Sequence, residues 1–384
     1  MAEIADPNVQ IKPEPLSNYE EDAFALAPGW KLMWWRFTQH RLAVICLALF
    51  IPIIIIAFIP EFFATSDPEA TFTRESYIPP QPLRLIDENG RFYLHMYAPQ
   101  GERNLQTMRM EWQTNPEDKI VIGLFVRGFE YRLLGLIPTN IHLLGPIGDN
   151  AENERILLLG TDRLGRDLWS RLMYGTRISL SIGLVGMSLS LFLGVFIGGI
   201  SGYFGGTIDL IIQRLIELLQ SLPQIPLWLA LSAALPQEWG ALQIYFAISI
   251  ILSVLGWTTL GREVRGRFLA LREEDFVVAA RLVGASQLRV ILRHMVPAMT
   301  SHIIATATLA VPAMILSETA LSFLGLGLRP PIISWGVLLQ EGQNVQSVAL
   351  APWVLFPGVM VILVVLMLNI IGDGLRDAAD PYKN

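Results

Sequence analysis

Apolar residues in this chain gather in long runs instead of alternating with polar ones. A helix needs about 20 such residues to cross the hydrocarbon of a bilayer. Runs at 42–62, 177–200, 208–235, 241–260, 301–325 and 352–372 each predict a transmembrane helix. The third begins with Asp209, Arg214 and Glu217. Arg214 and Glu217 are three residues apart, so they share a helix face and can pair. Pro223 and Pro226 predict a bend there, which neighbouring helices can tolerate. Glycines 183, 186, 194, 198 and 199 punctuate the second run. Gly194 and Gly198 have the small-xxx-small spacing that lets helices approach closely.

Three stretches interrupt this pattern. Residues 1–27 are acidic and Pro-containing, with Asp6, Pro7, Pro13, Glu14, Glu20, Glu21 and Asp22, and predict a flexible tail. Residues 28–41 mix Trp30, Trp34, Trp35 and Phe37 with Lys31, Arg36 and Arg41, the composition of a membrane–water boundary. The first apolar run lies far behind this start, so it predicts a retained anchor and not a cleaved signal. Between the first two runs, 63–160 holds strand-like segments at Arg91–Tyr97, Lys119–Val126 and Phe129–Leu136. Glu88-Asn89-Gly90 and Gly145-Pro146 supply turn signals, and the whole predicts a small β-containing insert. The third interruption is Phe276–Pro297, a polar, Arg-rich, helix-like block between two spans.

Composition agrees with a polytopic membrane protein: of 384 residues, 52% are hydrophobic and 16% charged. A net charge of −6 argues against nucleic acid as a partner. Cys46 is the one cysteine, so no intrachain disulfide can form. No HExxH or GxSxG pattern occurs, and no metal-binding spacing, so the sequence offers no catalytic or metal residue. Lysine stands only at positions 12, 31, 119 and 383, never before Ser or Thr. A P-loop needs that Lys-Ser/Thr pair to hold phosphate and magnesium, so ATP-driven work requires a separate subunit.

Six spans put both termini on one side. Arg262, Arg265, Arg267, Arg272, Arg281, Arg289 and Arg293 lie in the 261–297 loop, and Lys31, Arg36 and Arg41 precede the first span. The positive-inside rule then places both termini and that loop in the cytoplasm. Arg163, Arg166, Arg171 and Arg177 oppose this placement, with Asp162 and Asp167 among them to compensate.

The block at 276–297 reads Val278-Ala279-Ala280, then Gly284, then His294 and Val296-Pro297. Alanines give a slim helix face, Gly284 permits a sharp turn, and Pro297 is expected to end the element. This resembles the EAA loop of the inner-membrane permeases of bacterial ATP-binding-cassette importers. The family's usual Glu is replaced by Val278, but Ala279-Ala280-Arg281, Gly284-Ala285-Ser286 and Arg293-His294 to Pro297 are similar to the peptide/nickel branch. Gly160-Thr161-Asp162-Arg163-Leu164-Gly165-Arg166-Asp167, Gly202–Gly206, Phe323–Gly327, Trp335-Gly336 and Gly372–Asp377 through Asp380-Pro381 resemble the second permease of dipeptide/oligopeptide importers. The likeness covers 160–384 and the first span, but not the long insert.

The resemblance implies an all-α polytopic fold of six transmembrane helices, the type I importer permease fold; the β-containing insert is read from the residues, and the charge pattern puts it outside the cytoplasm. It divides the chain into a cytoplasmic and interfacial segment (1–41), a first helix (42–62), the insert (63–160) and a permease core (161–384) whose coupling loop is 261–300. It implies a multi-pass protein of the bacterial inner membrane carrying peptides or peptide-like solutes. Nickel, opines or another small solute are alternative cargoes. Its partners would be a second permease chain, two ATP-binding subunits that hold ATP and Mg, an extracytoplasmic substrate-binding protein and the lipid bilayer. No cofactor belongs to this chain itself. A secondary transporter or channel is the competing class, and would need more ionisable groups near the midplane than the spans carry. Glu318 is the clearest intramembrane charge and Asn369 a weaker polar position, so both are candidates for the translocation path.

Overall fold

The computed structural model describes residues 29–87, 90–103, 105, 110–148, 151, 154–236 and 238–379. The predicted tail at 1–27, the turn residues Glu88-Asn89 and the closing Asp380-Pro381 lie outside the described residues.

An aromatic-rich helix, α1 (Gly29–Gln39), leads into α2 (Arg41–Phe58), the first apolar span. His40 caps α2, its Nδ1 accepting from the Ala43 N–H at 3.1 Å. Leu42, Ile45, Leu49, Ile55 and Phe58 of α2 are exposed, the expected surface for lipid. Its other face packs on the last helix, α14 (Phe356–Ala379). There Phe37 and Ala43 close over Gly374, where a Cβ would sit 2.5 Å from the Ala43 methyl.

After the short α3 (Pro60–Phe63), the chain forms an antiparallel four-stranded sheet in the order β1 (Arg84–Ile86), β2 (Phe92–Arg103), β3 (Met110–Leu133), β4 (Ile137–Pro146). β3 pairs with β2 over its first half and with β4 over its second. Two expectations change here. The segments at 119–126 and 129–136 belong to one long strand that ends at Leu133, bent by a register shift between Arg127 and Tyr131. Gly145-Pro146 is the end of β4 and not a turn, because Gly145 pairs with Gly123 and Pro146 with Ile122. The actual turn is at Leu134 and Gly135, both with positive φ.

The core begins with α4 (Leu168–Phe204), 37 residues long. Its glycines let α7 (Ala241–Leu271) lie directly against it. A Cβ on Gly198 would collide with the Gly261 backbone, and one on Gly194 would meet the Leu260 side chain at 2.8 Å. Ser253 adds a hydrogen bond from its hydroxyl to the Gly186 carbonyl at 2.9 Å.

The third predicted span divides into α5 (Gly206–Ser221) and α6 (Gln224–Ala233). Pro223 forces Leu222 into extended backbone, which stops α5, and Pro223 itself becomes the N-cap of α6. Among the described residues, five helices are therefore long and apolar enough to cross a membrane, with α6 a shorter apolar helix. The predicted Arg214–Glu217 pair forms at 2.7 Å but is exposed, and contributes little. Asp209 instead anchors α5, accepting from Arg265 Nε at 2.5 Å and Nη2 at 2.6 Å.

Beyond α7 come α8 (Asp275–Leu282), α9 (Gln287–Val290), a π turn at Ile291–Met295 and α10 (Val296–Ala298), then the span α11 (Thr300–Phe323). The chain returns through α12 (Trp335–Leu339) and α13 (Val345–Leu350) to α14. Trp335 is fully buried among apolar residues of α2, α4, α11 and α14, so α12 plugs the bundle at this end.

Candidate functional site

The helical elbow from α8 to α10 is built for rigidity. α8 closes with Gly284 at φ 85°, and the N–H groups of Gly284 and Ala285 bond back to the carbonyls of Arg281 and Ala280 at 2.9 and 3.0 Å. That left-handed stop suits glycine. Val277, Val290 and Met295 are buried against Tyr203 of α4 and Val264 and Phe268 of α7. The Arg281 guanidinium lies over the Tyr203 ring, 5.0 Å from its centroid.

Pro297 does not end this element. It sits in the first turn of α10, inside a helical path that runs on towards α11. The preceding π turn explains the tolerance: Val296 N–H bonds to Ile291 five residues back, so the ladder is already offset where proline lacks its N–H.

Of the motif residues, Val278, Ala279, Arg281, Gly284, Ser286, Arg293 and Pro297 are exposed, and Ala280, Ala285 and His294 are half-buried. The elbow also presents an aliphatic rim absent from the motif reading. Leu282 and Val283 are 84% and 88% exposed, with Leu288 and Leu292 beside them in sequence and also open. The signal was visible as apolar residues in a segment that cannot span a membrane.

A second feature is a groove of about 430 Å³ between α6, α7 and α11. Gln224, Trp228, Thr259, Glu263, His302, Thr306, Ser317 and, from α14, Arg376 set polar groups among apolar lining residues such as Leu252, Leu309 and Met314. Glu263 Oε2 lies 3.5 Å from His302 Nε2 and accepts from the Thr306 hydroxyl at 3.2 Å. Glu318 is not part of this lining. Its side chain is fully buried on another face of α11, where Oε1 accepts from Ser322 at 2.7 Å and Ser334 at 2.8 Å. Ser334 also caps α12, so Glu318 secures the plug. Asn369 is half-buried on α14 and is not among the groove-lining residues either.

At the other end of α4, Gly160–Asp167 is tightly folded. Asp167 is the N-cap of α4, accepting from the N–H groups of Trp169 and Ser170 at 3.2 and 3.0 Å. Its Oδ2 also accepts from the Thr65 hydroxyl at 2.8 Å and from the Ser170 hydroxyl. Burial raises the Asp167 pKa above the ordinary carboxylate range, although the hydroxyl and amide bonds pull it back. Asp162 instead neutralises Arg166 at 2.6 Å, and Arg177 pairs with Glu61 at 2.5 Å. Glu341 accepts from the Arg163 N–H at 2.9 Å, and its pKa is raised by burial and by the nearby Asp162 carboxylate.

Among the described residues no group of three or more His, Cys, Asp or Glu is placed to hold a metal ion. Comparison with known proteins decides the family. Residues 194–383 match the family described as binding-protein-dependent transport system inner membrane component, and 29–80 match the N-terminal TM domain of oligopeptide transport permease C. The dipeptide transport system permease protein DppC of Alkalihalophilus pseudofirmus is 41% identical over 224 residues, 58% of this chain and 71% of that protein. The chain belongs to the dipeptide/oligopeptide family of ABC importer permeases. The oligopeptide transport system permease protein OppC of Haemophilus influenzae is likewise 41% identical, over 58% of this chain and 69% of its own. An inward-facing MetNI methionine ABC transporter structure gives a TM-score of 0.42 at 17% identity, covering 54% of this chain and 96% of that one. As an ABC importer permease this chain is a multi-pass membrane transport subunit and not an enzyme, and ATP hydrolysis resides in a separate subunit.

Proposed function

We propose that this chain forms one half of an import pathway for peptides or peptide-like solutes and is driven through its elbow by an ATPase subunit. The observation that carries this is the pairing of a buried, rigid base with an exposed aliphatic rim. Val277, Val290 and Met295 fix the elbow to α4 and α7, while Leu282 and Val283 stand open to a partner. An apolar rim on a polar, Arg-rich segment fits a cleft in a soluble protein. In this reading ATP binding moves the ATPase, the elbow follows, and α4 and α7 move with it because their contacts are continuous.

The groove between α6, α7 and α11, of mixed polar and apolar lining, is the half-pathway contributed by this subunit, completed by a second permease chain. Its hydroxyls, the Glu263 carboxylate, the Arg376 guanidinium and Trp228 suit a zwitterionic solute with mixed side chains. An extracytoplasmic binding protein delivers the cargo. Both termini and the elbow lie in the cytoplasm, and the β module at 63–160 lies on the opposite side. This arrangement needs no cofactor in the chain itself.

The test is uptake and ATP hydrolysis by the reconstituted importer carrying Leu282→Asp and Val283→Asp together. Both side chains are exposed, so insertion and folding should persist while cargo-stimulated hydrolysis and uptake fall at least tenfold. Uptake at the normal rate would sink the docking role.

A further inference from the structure

The far hairpin of the β module, formed by β3 and β4, ends in a sequence unsuited to water. Residues 133–138 read Leu-Leu-Gly-Leu-Ile-Pro, without a charge. Leu134 is 55% exposed and Leu136 80% exposed, and Ile137 is open as well. The turn has positive φ at both Leu134 (52°) and Gly135 (74°), the primed type that matches strand twist. A water-facing turn of this type usually places Asn, Asp or Gly at its first central position. Leucine there accepts an unfavourable backbone conformation in order to present an aliphatic side chain.

Three observations say what covers it. First, Leu134 shares the wall of a groove of about 720 Å³ with Phe58 of α2 and with Leu180 and Leu184 of α4. Phe58 and Leu184 are exposed apolar residues of the membrane-spanning belt, so the tip is continuous with the surface that lipid already covers. Second, the turn satisfies two of its own donors: Gly135 N–H bonds to the Arg132 carbonyl and Leu136 N–H to the Leu133 carbonyl, each at 3.0 Å. That lowers the cost of bringing the turn to the edge of the hydrocarbon. Third, the tip itself carries no charge, and the charged residue that precedes it, Arg132, is exposed, free to reach a polar boundary while the tip is buried.

The ribbon also needs such support. Beyond Val121, β3 pairs among the described residues only with β4, and a two-stranded ribbon is marginal alone in water. Its base is clamped: His142 is buried with Nδ1 2.9 Å from the Glu61 carbonyl and Nε2 3.0 Å from the Phe129 carbonyl. The Leu136 side chain, by contrast, stands open.

We propose that the Leu134–Ile137 tip is a lipid-binding element that dips into the bilayer leaflet beside α2 and α4 and tethers the β module to the membrane surface. The proposal rests on the membrane-embedded reading of α2 and α4, not on which side the module occupies. The opposite hairpin supplies the control. Leu105, between β2 and β3, is 83% exposed and lies beyond the other end of β3.

The experiment uses the assembled importer in phospholipid nanodiscs, with Cys46→Ala and a single spin label at Leu136→Cys or Leu105→Cys. Collision with oxygen is compared with collision with a water-soluble nickel chelate. The expected result is an oxygen-to-nickel collision ratio several-fold higher at 136 than at 105. Equal nickel access at both sites would place the tip in water and overturn the proposal. Low access to both agents at 136 would mean a protein covers it, and would overturn it too. The contrast holds whichever side the module faces, so an error in sidedness would not be mistaken for failure.

Discussion

Single buried polar groups hold the junctions of this molecule. Asp167 caps α4 and gathers Thr65 and Ser170 around one carboxylate. Asp167→Ala removes the cap and leaves those donors unpaired, at a cost of about 2 kcal/mol. Thermal unfolding of the purified chain should show it as a lowered midpoint, with Asp167→Asn recovering part of the loss. Glu318 makes a similar contribution inside the bundle. Glu318→Gln keeps an oxygen for Ser322 and Ser334 and should retain folding and uptake. Glu318→Ala strands both hydroxyls and costs roughly 1–3 kcal/mol. If Glu318→Gln changed cargo preference with folding intact, a pathway role would replace the structural one. The sequence marked Glu318 as unusual, because a carboxylate in an apolar helix is costly. It could not mark the direction of the side chain, which depends on Ser334 arriving from a loop sixteen residues away.

The helices were the most legible elements, since a span announces itself by length and apolarity alone. The same rule blurred 208–235, where Pro223 splits what composition joins. In the β module the strands were recognisable, but their bounds depended on pairing: Gly145-Pro146 looks like a turn until Gly123 and Ile122 are placed opposite. The elbow was legible from Gly284, whereas the π turn that excuses Pro297 has no sequence signal. Glycine spacing in α4 was read correctly as packing, and it yields a sharp contrast. Gly198 has the Gly261 backbone against it, while a methyl added at Gly266 on α7 would have nothing within 4 Å. Gly198→Ala should push α4 from α7 and lower the folded yield in detergent. Gly266→Ala should be neutral or stabilise by up to about 1 kcal/mol, through helix propensity alone. Equal behaviour of the two would contradict close α4–α7 packing.

At the scale of the whole molecule, the two ends of the bundle are built differently. The elbow end exposes apolar residues on a stiff base, as a surface awaiting a partner does. The opposite end is tied internally by polar links between distant segments. Tyr77 and Ser347 hydroxyls meet at 2.9 Å, Trp353 donates to the Thr161 carbonyl at 3.0 Å, and Glu341 holds the Arg163 N–H. This plate joins the segment before the sheet, the start of α4 and the α12–α14 return, so movement of one should carry the others. Its weak point is Glu341, whose pKa is raised by burial and by Asp162. A raised folded-state pKa means the folded form favours the protonated carboxyl. The resulting stability is fully present below the unfolded carboxylate pKa and is lost as pH rises through the folded one. Unfolding midpoints of wild type and Glu341→Gln should therefore diverge with pH. As pH rises from the ordinary carboxylate range through the raised pKa of Glu341, the wild type should lose stability relative to the variant, whose amide does not titrate. A constant difference across that range would show that Glu341 ionises without cost, and the plate would then owe its cohesion to the tyrosine and tryptophan links alone.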